Sequence, residues 1–276
     1  MIVELRNPRL DAALEAALRG GPPAPLFAEM ERGSGLPGPR ANADLAAAVA
    51  ARVAAAGRRG DALLRALLDG PEFAVVVAVH ALGGRWRAGV DGEGASQALQ
   101  DLCEHQSAHV RSAIVDLVRT RLRSGAPLAE LDGWLDGFLQ AHTVLAALTD
   151  RETLAAMGGG QGSQVIARLD VAFALADAAP RSADRSQGLR TLRRDLPQQI
   201  AAVGRRWPDE TMAWVEARSV AKHPETRAVI EAALERMRAQ LAPSERARLS
   251  GALAASAKPP RDPSRIVKGM RRRGKR

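Results

Sequence analysis

The sequence predicts an all-α protein, and three observations carry that prediction. Alanine and leucine dominate a 46% apolar composition in which aromatics supply 3% and tyrosine is absent. Alanine and leucine are strong helix formers, whereas sheet cores draw on β-branched and aromatic side chains. Apolar residues recur at helical spacing, as in Leu10, Ala13, Leu14, Ala17 and Leu18. Capping residues, prolines and glycines also fall repeatedly at the places where helices begin and end.

Taken in order, Asn7-Pro8 is an N-cap followed by proline at the first helical position, and Gly20-Gly21-Pro22-Pro23 stops that helix. The turn-rich stretch from Ser34 to Pro39 leads to Asn42 and a helix to about Ala56, closed by Gly57. Further helices are expected over 62–69, 71–82, 95–105, 108–123 and 127–140. Another group is expected over 142–157, 164–178, 186–206, 209–220, 224–240 and 244–256. Connections of a few residues imply antiparallel neighbours. The run Phe73-Ala74-Val75-Val76-Val77-Ala78-Val79 is the one serious strand candidate, but Pro71 before it and the alanine-rich continuation to Gly83 favour a buried helix. Pro197 is expected to kink or restart its helix. Gly158-Gly159-Gly160 with Gly162 reads as a loop, because a phosphate cradle needs a preceding strand and a following lysine and has neither here.

One internal match organises the chain. Ser107–Arg121 aligns with His223–Met237 at a constant offset, so that Val110, Arg111, Ala113, Ile114, Leu117 and Val118 face Thr226, Arg227, Val229, Ile230, Ala233 and Leu234. Each segment has a capping position, a short polar turn, an arginine four places on and an apolar stripe. One amphipathic helix cannot bury such a stripe alone, and stacked similar units bury it continuously. The pattern His109-Val110-Arg111-Ser112-Ala113 resembles the start of the second helix of HEAT repeats. The stretch from Leu189 through Met237, with its Trp207-Pro208 turn, resembles the HEAT-like proteins related to bacterial DNA alkylation-repair glycosylases. That resemblance implies a HEAT-like α-solenoid of stacked antiparallel helix pairs. The expected organisation is an N-terminal helical region over 1–100, HEAT-like repeats over 101–257 and a flexible basic tail over 258–276.

The net charge of +9 is localised. Lys258 to Arg276 holds nine basic residues and one acid, leaving 31 basic and 30 acidic residues in the other 257. Only four lysines accompany 36 arginines, a ratio that points to a high-GC bacterial genome and makes arginine richness by itself mostly codon bias. Three of the four lysines nevertheless sit in the tail. Its candidate contacts are Lys258, Arg261, Arg265, Lys268, Arg271, Arg272, Arg273, Lys275 and Arg276. Such a segment has too little apolar content to fold alone. It would bind polyanions by counterion release, with nucleic acid the first expectation and an acidic protein partner or a merely solvating terminus as alternatives. A membrane partner is not expected, since the tail has no aromatic or leucine-rich face. Arg190, Arg193 and Arg194 share one helical face, and they would hold phosphates if that face lines the concave side. Asp184 and Asp195 nearby favour a solvated face instead.

No catalytic centre is expected, and no cofactor or metal. His105 and His109 are four apart but lack the internal glutamate of a zinc-protease helix, and a cap at Gln106-Ser107 separates them. The single cysteine, Cys103, has apolar neighbours and reads as a buried structural thiol, and His223 before Pro224 reads as a helix cap. The amino terminus from Met1 to Arg6 lacks a signal-peptide pattern, and no apolar stretch reaches bilayer length, so cytoplasmic residence is expected. The resemblance carries one enzymatic alternative, a glycosylase-like or lesion-binding protein using aromatic side chains and a carboxylate. Its candidates are Trp134 with Asp136, which at i, i+2 point to different sides of a helix, or Trp207 and Trp214 near Asp209. The first expectation is a non-enzymatic helical-repeat binding protein; a scaffold that binds only a protein partner is the third.

Overall fold

The computed structural model describes residues 7–221 and 223–256. Among them every regular element is helical: α1 (Pro8–Leu18), α2 (Ala24–Gly33), α3 (Ala43–Ala55), α4 (Arg58–Leu68), α5 (Glu72–Ala88), α6 (Gly92–Leu102) and α7 (Ala108–Arg123) come first. Then follow a 3-10 turn at Leu128–Trp134, α8 (Phe138–Leu148), α9 (Arg151–Ala156), α10 (Gly162–Ala178), α11 (Gln187–Arg206), α12 (Pro208–Arg218), α13 (Pro224–Arg236) and α14 (Pro243–Ser256). No helix among the described residues is long and apolar enough to cross a membrane.

The caps act as the sequence implies. Asn7 accepts from the Arg9 and Leu10 amides, Asn42 from Leu45, and Ser107 from His109 and Val110, satisfying donors that a helix leaves unpaired. The valine run lies inside α5 and is buried from Phe73 to Val79. That surrounds the helix with protein and removes the amphipathic pattern that ordinarily marks a helix in sequence.

Four expectations are corrected. Ala24–Gly33 is a helix that the flanking prolines concealed; it buries Leu26 and Met30 one turn apart. The helix expected over 127–140 is instead a 3-10 turn after Pro127, and α8 starts anew after Gly137. Of the kink or restart expected at Pro197, the restart is absent: α11 runs through the buried Pro197, whose ring forfeits the bond to the Arg193 carbonyl. His223 occupies the N-cap of α13 but makes no side-chain cap; its backbone amide instead donates to Asp177 Oδ1 at 2.9 Å.

Packing sorts the helices into two rows. One runs α3, α5, α7, α8, α11, α13, each in contact with the next. Side-chain pairs fix their direction. Glu72 at the start of α5 bonds Ser107 and His109 at the start of α7, while Arg85 at the end of α5 pairs with Asp61 beside the end of α3. Arg119 near the end of α7 donates to the Ala146 carbonyl near the end of α8, and a Cβ on Gly188 at the start of α11 would press on Phe138 and Leu139 at the start of α8. A Cβ on Gly204 would strike the Met237 sulfur, setting the end of α11 against the end of α13. The row is therefore parallel, with all its C-termini along one edge. α4 packs on α1, α3 and α5, while the second row holds α6, the 3-10 turn, α10, α12 and α14, reached from the first by antiparallel connections. Within it Trp134 donates to Ser96 Oγ, Arg168 reaches the Leu128 carbonyl, Asp170 accepts from Trp214, and Glu216 pairs with Arg248. A single buried apolar cluster extends from Leu10 to Leu253.

The internal match has a structural counterpart. Val110, Ile114 and Val118 of α7 and Thr226, Ile230 and Leu234 of α13 are all buried. Arg111 donates to the His105 carbonyl and Arg227 to the Ala221 carbonyl, each six residues back.

Candidate nucleic-acid interface

The arginine cluster expected on α11 is divided by its surroundings. Arg193 donates to Asp184 at 2.8 Å and to the Ala176 carbonyl at 2.9 Å, and its side chain is only 11% exposed. It ties α11 to the preceding turn and to α10. Arg194 is bidentate on Asp195, at 2.8 and 2.9 Å, and Asp195 also takes His142 Nε2 at 2.9 Å. The Arg194 hydrogen bond, with His142 adding to it, holds the Asp195 carboxyl below the usual range. Burial pushes His142 down despite that carboxylate, because desolvation of the ring outweighs the pair. Of the three, Arg190 alone is exposed and without a carboxylate partner among the described residues. The three residues do not converge on one phosphate-sized site. The tail residues from Lys258 to Arg276 lie outside the described residues.

Free guanidiniums converge further along the same helix. A groove of about 440 Å³ opens between the end of α8, α9 and the end of α11, lined by Thr149, Arg151, Leu154, Ala155, Ala202, Arg205 and Arg206. No acid is among these lining residues. Arg151 and Arg205 are exposed and have no ion-pair partner among the described residues. Arg206 donates to the Met157 carbonyl at 2.9 Å and its guanidinium lies 5.8 Å from the Trp207 ring centre, which fixes its direction. The nearest carboxylates are committed elsewhere: Glu152 pairs with Arg123, while Asp150 caps α9 and faces Arg119 and Arg123. The result is a carboxylate-free cationic hollow on a rigid seam. The sequence shows Arg205 and Arg206 but not Arg151, which only folding brings to them.

The tryptophans, histidines and cysteine are packed or hydrogen-bonded within the fold, while Asp136 and Asp209 are exposed. Trp134 is fully buried and stacks on Trp86 at 5.5 Å; Trp207 donates to the Gly159 carbonyl at 3.1 Å; Trp214 donates to Asp170 Oδ1 at 2.7 Å with its ring edge-on to Phe173. All four tryptophans are buried, so none offers its face to a groove. His105 Nδ1 accepts from the Ser107 amide, and His109 bridges Glu72 and the Gly38 carbonyl. The Ser107 hydroxyl, then His109, keep Glu72 below the ordinary carboxylate range. Cys103 is buried against the Leu99 carbonyl, and burial pushes its thiol up to about 11, far from a reactive thiolate. Among the described residues no group of three or more His, Cys, Asp or Glu is placed to hold a metal ion. No protein-family model, no curated protein and no solved structure matches this chain.

Proposed function

We propose that this chain is a non-enzymatic binding protein built as a HEAT-like stack of helix pairs, and that its ligand is nucleic acid held through backbone phosphates. The parallel first row supports the stacking, as do the two arginines that cap equivalent carbonyls at the starts of α7 and α13. The observation that carries the ligand is the acid-free groove of Arg151, Arg205 and Arg206. Exposed guanidiniums without carboxylate partners are what a phosphate displaces counterions to reach. The basic segment from Lys258 to Arg276 adds affinity without shape.

The test is fluorescence anisotropy with duplex DNA and single-stranded RNA over a salt series. The full chain, a chain lacking 258–276 and an Arg151→Gln/Arg205→Gln variant are compared. Binding at low salt is expected, with a log–log salt slope up to roughly −8 for the full chain. Removal of two groove contacts flattens the slope by about 2. Absence of binding by the full chain even at low salt, on the order of 50 mM, removes the nucleic-acid reading. A glycosylase-like activity gains no support, because it needs an aromatic face in the cleft and the tryptophans are packed inward. A scaffold for a protein partner is favoured by one feature. This is a groove of about 330 Å³ between α12, α13 and α14, where Met212, Met237 and Leu241 lie among Asp209, Glu216 and Glu245. Co-purification with a partner protein, with no binding to either nucleic acid, would select that reading.

A further inference from the structure

A second arginine cluster lies on the same edge as the first. Arg19 closes α1, and Arg58 and Arg59 open α4, immediately after the end of α3. All three are exposed and none has an ion-pair partner among the described residues. They line two adjoining hollows of about 640 and 510 Å³, which share Leu18, Arg19, Arg58 and Arg59. The acids within reach are taken: Glu15 and Asp11 hold Arg52, and Asp61 holds Arg85. Two cations in the first turn of a helix work against its dipole, and the one acid in that turn of α4, Asp61, is committed to Arg85. Folding alone does not ask for Arg58 and Arg59.

The parallel row sets the distance between the two clusters. The Arg19, Arg58 and Arg59 cluster sits at the end of α3, and the Arg151, Arg205 and Arg206 groove at the seam of α8 and α11, three to four helices along. Packed helices lie about 8–10 Å apart, so three to four steps put the clusters roughly 25–40 Å apart along the row. Between them the edge is largely neutralised, with Arg121 on Glu130 and Arg123 on Glu152, while exposed Arg87 has no such partner among the described residues. A B-form duplex turns the same face back to a flat surface about every 34–36 Å. We infer that the two arginine clusters grip one DNA duplex at backbone phosphates about one helical turn apart, across the C-terminal edge of the row. This rests on the nucleic-acid reading above and narrows it to duplex DNA of a minimum length.

The experiment measures the affinity of the full chain for duplexes of 8, 12, 16 and 24 base pairs at fixed salt, corrected for the number of overlapping sites. A duplex that reaches both clusters makes the second contact intramolecular, so affinity is expected to step up at least tenfold between 8 and 16 base pairs. The variant Arg19→Gln/Arg58→Gln/Arg59→Gln removes that step and flattens the 16-base-pair salt slope by roughly 2 to 3. Its 8-base-pair affinity falls much less. The single variant Arg59→Glu does the same in weaker form and keeps the test intact if the triple variant is unstable. Smooth growth with length, or an unchanged step in these variants while DNA still binds, overturns the two-point grip and leaves the nucleic-acid reading standing. Absence of binding to every duplex by the wild-type chain overturns both. Equal affinity for single strands and 16-base-pair duplexes also overturns it, since only the duplex has the required repeat.

Discussion

Gly83 is where the seam between α5 and α7 is tightest, and its replacement gives a prediction whose sign depends on a neighbour 34 positions away. Gly83 is buried, and a Cβ there would overlap the Leu117 side chain at Cγ and Cδ1. Two effects compete in Gly83→Ala. Alanine in a helix interior gains about 1 kcal/mol over glycine, while overpacking a fitted contact costs typically 1–3 kcal/mol. Overlap with a branch point, which cannot swing away like a chain end, puts the cost in the middle of that range and the net loss at about 1 kcal/mol. Leu117→Ala removes the obstacle and costs about 2 kcal/mol, at the low end for a buried leucine because Leu117 is half-buried. In that background Gly83→Ala no longer collides and keeps its helical gain, so it stabilises by up to about 1 kcal/mol. The assay is urea unfolding of the four proteins followed by far-UV circular dichroism, with midpoints compared at constant m. The coupling should be about 2 kcal/mol, well above the scatter of independent sites. If Gly83→Ala shifts stability by the same amount with and without Leu117, these two residues do not meet across the seam and the α5–α7 register is wrong.

Two further predictions test the repeat and the buried histidines. Arg111→Met and Arg227→Met each strip a charged donor from the carbonyl six residues back, and each should cost about 1 kcal/mol, Arg111 more because it also serves the Gln106 carbonyl. Arg190→Met, four places after the Ser186 cap but with no such bond, should stay within about 0.5 kcal/mol by the same urea assay. His80 and His142 are both held below the ordinary histidine range, chiefly by desolvation. The unfolded chain therefore takes up protons at these sites before the folded one does, and stability is full above the ordinary histidine pKa and declines as pH falls through that range towards the lowered folded values. His80→Asn/His142→Asn should flatten that segment of the stability–pH curve, and an unaltered curve would show that neither ring is desolvated.

What could be read without coordinates was whatever depended on near neighbours in the chain. α7 begins and ends where its Ser107 cap and its stripe of Val110, Ile114 and Val118 require, because capping and periodicity act within a turn or two. α2 escaped because Pro22, Pro23 and Pro25 surround its start, although a proline in the first turn costs a helix nothing. The segment after Pro127 misled in the opposite sense. Leu128, Leu131 and Leu135 have helical spacing, but Leu128, Leu131 and Trp134, three apart, also suit a 3-10 turn, which ends at Leu135. For the site, the acids that neutralise Arg193 and Arg194 are sequence neighbours and were visible as such. Arg151 and Arg205 are separated by the rest of α9, all of α10, two 3-10 turns and most of α11, so their common groove is a property of the seam between α8 and α11.

The distribution of free arginines follows from the row's own electrostatics. A row of parallel helices accumulates the negative ends of its dipoles along one edge, and cations in the last turns relieve that field: Arg52 in α3, Arg85 and Arg87 in α5, Arg121 and Arg123 in α7, Arg205 and Arg206 in α11. Each connection then starts a helix or 3-10 turn at the same edge, where an acid suits the positive end. Asp61, Glu130 and Glu152 are such acids, and each pairs with one of these arginines. The default edge is thus a self-cancelling ladder that needs no ligand. Apart from the single unpaired Arg87, it fails to cancel at two clusters among the described residues. Arg58 and Arg59 occupy the first turn of α4 ahead of Asp61, with Arg19 added from α1. At the other, Arg151 joins Arg205 and Arg206 while Asp150 and Glu152 face the opposite way, toward α7. Helix stability accounts for the ladder and for Arg205 and Arg206 in the last turn of α11, but not for Arg58, Arg59 and Arg151 at the starts of α4 and α9. Restoring cancellation by Arg59→Glu or Arg151→Glu should therefore leave folding unharmed or slightly improved while weakening any polyanion that uses the edge.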